Sequence, residues 1–164
     1  MIMSKIAERI PQMTDEQLLN LFANATQKLS ESKNIEAAEV AIAAIEHEWK
    51  KRLDAARTGG YKSAVPDMGM LATLGYRVGA ANGETTAARR KILKYVLERR
   101  LPVVASPAYT DAWGEPNSRR RYSKLVQFLE SQLTNPAHRA YARAIVEWSE
   151  DLDWVRHKYS HLSC

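Results

Sequence analysis

Tyr141, Ile145, Trp148, Leu152, Val155, Tyr159 and Leu162 recur at intervals of 4, 3, 4, 3, 4 and 3. A strand would bury every second residue, whereas a helix buries every third or fourth. This seam predicts one long C-terminal helix, with Asn135 as its cap and Pro136 at its first position. Such a helix lies across a helical core. The alternative, a dimer seam, suits these residues less well, because Trp and Tyr are bulky for a parallel two-stranded coil.

The rest of the chain follows the same period. Nowhere do β-branched or aromatic residues alternate with polar ones for more than a few positions. Thr14 and Gln17 form a capping-box pattern, and Asp15 and Glu16 suit the positive end of a helix dipole. Leu18, Leu21, Phe22, Ala25 and Leu29 continue that helix on one face. A second helix is expected from Asn34 to Arg57, with Ile35, Ala38, Ile42, Ile45, Trp49 and Leu53 as its stripe and Gly59–Gly60 as its stop. Glu46 with Lys50 and Glu48 with Arg52 are pairs four apart in the favoured order. A third helix starts at Thr85 or Thr86 and ends by Leu101, burying Ala88, Ile92, Leu93, Val96 and Leu97. A fourth follows Pro116, capped by Asn117 or Ser118, with Tyr122, Leu125, Val126, Leu129 and Leu133 inward. Residues 69–82 read as a helical turn or a short extended piece.

The expected fold is therefore all-α. An antiparallel helical hairpin occupies residues 1–58, a Gly- and Pro-containing linker 59–68, and a bundle-like domain of three main helices 69–164. At 164 residues the chain is long enough to bury a proper core. The single cysteine, Cys164, excludes an intramolecular disulfide framework and a cysteine-based zinc site. No apolar run reaches the length of a membrane span, and residues 1–11 carry Lys5, Glu8 and Arg9 instead of a signal-type apolar core. The expectation is a cytoplasmic protein that does not enter a membrane.

Most motifs that carry chemistry fail on inspection. The glycines at 75, 79 and 83 invite a phosphate-loop reading, but Gly83 precedes Glu84 and no lysine follows. His47-Glu48 begins a metalloprotease-like string whose second histidine position is Lys51. Asp153, His157 and His161 share a flank of the last helix but lack a fourth ligand, and read as solvated polar groups. No cofactor or metal is expected. No nucleophile elbow appears, and Cys164 reads as a surface thiol. The chain reads as a non-enzymatic module.

One group of residues matches a known pattern: Gly75-Tyr76-Arg77-Val78-Gly79, Arg90, Ile92-Leu93, Leu101-Pro102, Tyr109, Trp113-Gly114-Glu115-Pro116-Asn117-Ser118, Arg121, Trp148 and Asp151-Leu152. It resembles an uncharacterised bacterial helical domain family with the signature Y-x-V-G … R-x-I-L … L-P … W-G-x-P-x-S … W-x-x-D-L. The resemblance covers about residues 70–160. Many relatives have a Tyr pair near the end, where this chain has Tyr159-Ser160. The family has no known activity, so the resemblance assigns no functional residue.

Charge supplies the functional expectation. The formal net charge of +5 is unevenly spread. Residues 60–125 hold 12 basic and 5 acidic residues, while the segments on either side are each −1. Arg89, Arg90, Lys91 and Lys94 open the third helix, and Arg119, Arg120, Arg121 and Lys124 open the fourth. Cations at a helix N-terminus oppose the dipole, so their presence there asks for another use. These eight are the candidate contacts to nucleic-acid phosphates. Tyr109 and Trp113, in the loop between, read first as a plug of the core and second as a stacking platform. The alternative function is a protein-interaction or assembly subunit, a homodimer included, working through the N-terminal hairpin or the last helix.

Overall fold

A computed structural model describes residues 2–164, with side chains from residue 5 onward. Met1, counted in the expected 1–58 hairpin, lies outside the described residues. Among those residues there are eight α-helices and no strand: α1 (Ile2–Arg9), α2 (Asp15–Ser30), α3 (Ile35–Arg57), α4 (Met70–Thr73), α5 (Thr86–Glu98), α6 (Pro107–Asp111), α7 (Arg119–Thr134) and α8 (Ala142–Lys158). The protein is all-α, with an N-terminal hairpin and a bundle of three main helices, α5, α7 and α8. The chain divides into two compact units. One comprises residues up to 74 together with 100–110, and the other 75–99 together with 111–164.

The first unit is built on the α2–α3 hairpin. The Thr14 hydroxyl accepts from the Gln17 N–H at 3.1 Å, and the Gln17 side chain accepts from the Thr14 N–H at 2.9 Å. This reciprocal cap starts α2 where its sequence promised. Leu18, Phe22 and Ala25 of α2 are buried, as are Ala38, Ile42, Ile45, Trp49 and Leu53 of α3. The Phe22 and Trp49 rings meet at 5.2 Å between centroids. Ile35, expected to lead the α3 stripe, is exposed because it is the helix's first residue and hangs beyond the packed turns. At the other end Gly59 takes φ +81, the Gly60 N–H reaches the Ala55 carbonyl (2.8 Å) and the Gly59 N–H the Ala56 carbonyl (3.2 Å). That pair of bonds closes α3.

Two features of this unit differ from expectation. Helix α1 and a following 3-10 turn (Ile10–Gln12) precede the hairpin and pack on α3, burying Ile10. Eight residues are too few for a helix to hold by itself, so α1 depends on the surface α3 offers. Residues 59–68 are non-helical but pinned within the unit. The buried Asp15 carboxylate accepts from the Tyr61 hydroxyl, from the Ala64 N–H (2.9 Å) and from Arg52 Nη1 (2.8 Å). The Ser63 hydroxyl donates to the Val103 carbonyl, and the Ala105 N–H to that of Val65.

Burial, with the adjacent Asp15 carboxylate, pushes the Tyr61 hydroxyl from 10.0 up to about 12. A raised pKa means that the folded state keeps a proton the unfolded chain releases. Its contribution to stability is complete below about pH 10 and is lost as pH rises through about 12. Tyr61→Phe is therefore expected to be less sensitive to alkali across that window than the parent, measured as denaturant midpoint against pH. An unchanged alkaline decline would show that Tyr61 is not held by Asp15.

The second unit packs α7 on α8, with α5 against both. Leu93, Val96 and Leu97 of α5, Tyr122, Leu125 and Leu129 of α7, and Trp148, Leu152 and Val155 of α8 are buried. Thr85 caps α5 by accepting from the Ala88 N–H at 3.2 Å, and Ser118 caps α7 by accepting from the Arg121 N–H at 3.1 Å. The last helix is shorter than its seam. Asn135 does act as a cap, but of a 3-10 turn, Pro136–His138, and α8 begins only at Ala142. Tyr141 stands before that start with ψ 68, outside helical geometry, and is 60% exposed. The buried seam thus runs from Trp148 to Tyr159.

Candidate functional site

Arg89 and its neighbours occupy the centre of the second unit. Helix α5 turns Arg89 to the same side as Leu93 and Val96, four and seven residues on. Its Nε donates to Asp151 Oδ2 at 2.7 Å, its Nη2 to Asp151 Oδ1 at 3.3 Å and its Nη1 to the Glu84 carbonyl at 2.9 Å. Glu147 lies 3.5 Å from Nη1. The Tyr76 hydroxyl donates to Asp151 at 2.6 Å. Asp151 is wholly buried and Arg89 is 2% exposed. Burial disfavours the Arg89 charge, but the two carboxylates outweigh it and hold its pKa above the ordinary value. For Tyr76, burial and then the Asp151 charge push the hydroxyl far up.

Glu147 joins this group to the glycine turn. It accepts from the Gly79 N–H at 3.0 Å and from Arg143 at 2.9 Å. Burial raises its pKa, yet the Gly79 amide, Arg143 and Arg89 outweigh burial and hold it below the ordinary carboxylate value. The turn amide that a phosphate loop would aim at a ligand is occupied by the protein's own carboxylate. Gly83 serves packing, since a Cβ there would stand 2.2 Å from the Gly79 carbonyl oxygen.

Arg121 is also interior, 3% exposed. Its guanidinium donates to four backbone carbonyls: Trp113 (3.1 Å), Gly114 (2.7 Å), Arg99 (2.9 Å) and Val96. Arg89 and Arg121 were both expected at a phosphate surface. Their burial and occupied donors remove them from it, because a guanidinium must reach solvent to meet a backbone phosphate.

The other six candidates keep access to solvent. Arg119, Arg120 and Lys94 are exposed, while Arg90, Lys91 and Lys124 are half-buried. Arg120 and Lys124 are one turn apart on the face of α7 opposite the buried Tyr122, Leu125 and Leu129. The first turn of α7 contains no acidic residue. Among the described residues no ion pair holds Lys91, Lys94, Arg119 or Arg120. Lys124 Nζ lies 6.0 Å from the centre of the Trp113 ring. The two loop aromatics are structural: Trp113 is 2% exposed, and the Tyr109 hydroxyl accepts from the Met70 N–H at 2.9 Å. Trp113 therefore offers no free stacking face.

The units also differ in charge. The first has 10 basic and 10 acidic residues, and the second 14 and 9, so the whole excess of +5 belongs to the second. Sequence reasoning overlooked Trp154 and Lys158, which lie four apart on α8. The Lys158 ammonium is 5.1 Å and the Arg90 guanidinium 5.5 Å from the centre of the Trp154 ring. The i,i+4 spacing of Trp154 and Lys158 was the available signal; the approach of Arg90 from α5 left none. Among the described residues no three His, Cys, Asp or Glu side chains are grouped to hold a metal ion, and no helix is long and apolar enough to cross a membrane. No family model, curated protein or solved structure matches the chain.

Proposed function

We propose that the protein is a non-enzymatic module that binds nucleic acid through backbone phosphates, using the exposed start of α7. The observation that carries this reading is the set Arg119, Arg120 and Lys124. Arg119 and Arg120 stand against the helix dipole in a first turn without a carboxylate, Lys124 follows one turn on, and all three lie in the unit that holds the whole charge excess. Three carboxylates of this unit have other partners: Asp151 and Glu147 serve Arg89, and Glu130 serves Arg156. Lys91 and Lys94 on α5, which packs against α7, add charge to the same unit. Base reading is not part of the proposal, because phosphate contacts position a protein without specifying sequence.

Kinship with the bacterial helical domains is likewise proposed. It is supported by the burial of the motif residues Tyr76, Trp113, Arg121, Trp148, Asp151 and Leu152, the kind of positions a shared core would keep.

The test is a salt titration with a generic duplex. Binding at low salt is expected at micromolar order or weaker, with log affinity falling by about 0.9 per contacted phosphate for each unit of log salt. Arg119→Ala/Arg120→Ala/Lys124→Ala together should weaken binding and flatten that slope by roughly two to three units. Failure of the parent protein to bind duplex, single-stranded DNA or RNA at low salt would reject the reading. An assembly subunit would then be the better account.

A further inference from the structure

We propose a binding site for a phosphate-type oxyanion between α5 and α8, formed by Arg90 and Lys158 against the Trp154 ring. Three observations converge. Two cations from different helices lie within 5.5 Å of one ring centre, so like charges are gathered at one aromatic ring, with no ion pair to either among the described residues. Arg90 Nε is out of water and has no hydrogen-bond partner. A buried donor without a partner costs free energy, which an acceptor arriving at the site would relieve. Finally, three acids of this unit are engaged elsewhere. Arg89 takes Asp151 and Glu147, and Glu98 accepts from the Tyr159 hydroxyl at 3.0 Å. Among the described residues no ion pair joins a carboxylate to Arg90 or Lys158.

The charges and donors define the ligand class. A guanidinium offers a planar fork and an ammonium a mobile point charge, and a tetrahedral oxyanion accepts from both at once. Lys158 is exposed on a flexible stem, so its head can swing onto a ligand held by Arg90. Trp154 supplies an apolar wall that keeps water from one side. The oxyanion has two sources of the same chemistry, a free phosphate or the phosphodiester of a nucleic acid. The site does not depend on the start of α7 and stands or falls separately from the function proposed above.

The experiment follows the Arg90 Nε–H and Trp154 indole N–H signals by NMR in the full-length protein. These are assigned with Arg90→Lys and Trp154→Phe. Inorganic phosphate is titrated at constant ionic strength against chloride, and a short single-stranded oligonucleotide is titrated in parallel. The expected result is a saturable shift of both signals that chloride does not produce. Lys158→Met, an exposed change that leaves the core untouched, should weaken it at least tenfold. A response to inorganic phosphate assigns the site to the free anion; a response to the oligonucleotide alone assigns it to the phosphodiester. If neither ligand shifts these signals beyond chloride, or if Lys158→Met binds as the parent does, the site is rejected. Persistence of the phosphate shift in Arg119→Ala/Arg120→Ala/Lys124→Ala, with duplex binding lost, would separate the two sites directly.

Discussion

Asp151→Ala is expected to destabilise the protein by about 3–5 kcal/mol, the usual cost of leaving a buried charge without its partner. Asp151 is fully buried and accepts from Tyr76 and twice from Arg89. Its removal leaves the Arg89 guanidinium, itself 2% exposed, with only the Glu84 carbonyl and the more distant Glu147. It also strands the Tyr76 hydroxyl. The denaturant midpoint measures the loss, and thermal unfolding should fall by roughly 2–4 °C per kcal/mol. A second variant identifies the cause. Arg89→Met/Asp151→Leu removes both charges and fills the space with apolar atoms, and should recover a large part of the loss, because a buried ion pair gains little over a packed apolar pair. If the double variant were as unstable as Asp151→Ala, the stranded Arg89 charge would not be the cause, since neither charge remains and the space is filled; the Tyr76 hydroxyl, which loses Asp151 in both variants, and Glu147, which loses Arg89 in the double one, would be.

What the sequence revealed was mostly local. The Thr14–Gln17 box, the Gly59–Gly60 stop and the Ser118 cap each depend on residues within a few positions of one another, so their patterns survive in one dimension. The start of α8 was lost because Asn135 and Pro136 satisfy the rules for a helix start, and a 3-10 turn obeys the same rules. The fate of the arginines was partly readable. Arg89 stands four before Leu93 and seven before Val96, while Lys91 and Lys94 share the opposite face. Arg121 likewise stands four before Leu125. Weighing net charge by segment hid this, since adjacent arginines on a helix point about 100° apart and one of a pair can enter the core. The acceptors for Arg121 were not readable. Val96 and Arg99 lie more than 20 residues before it, and only the packing of α7 on α5 brings them near. The Trp154 cluster was hidden for the same reason, because Arg90 belongs to another helix.

Arg121→Ala is the sharpest test of this division between interior and surface arginines. The last carbonyls of a helix have no partners of their own. At the C-terminal end of α5 three of them have partners: Tyr95 receives the Arg99 N–H, Leu97 the Asn117 N–H, and Val96 the Arg121 guanidinium. The same side chain closes the Trp113–Gly114 corner through two further carbonyls. A cation at this end of a helix also suits the dipole. Deleting it strands four acceptors and opens a space beneath α7, so a loss on the order of 4 kcal/mol is expected. Arg121→Lys should rescue little, because an ammonium cannot span four carbonyls set for a planar fork. Arg119→Ala, two residues away and exposed, should stay within about 0.5 kcal/mol of the parent. Under conditions where Arg121→Ala remains folded, its salt slope on duplex DNA should match the parent's, while that of Arg119→Ala is lower by about 0.9. The reverse outcome would return Arg121 to the nucleic-acid surface: a denaturant midpoint unchanged by Arg121→Ala, with the slope reduced.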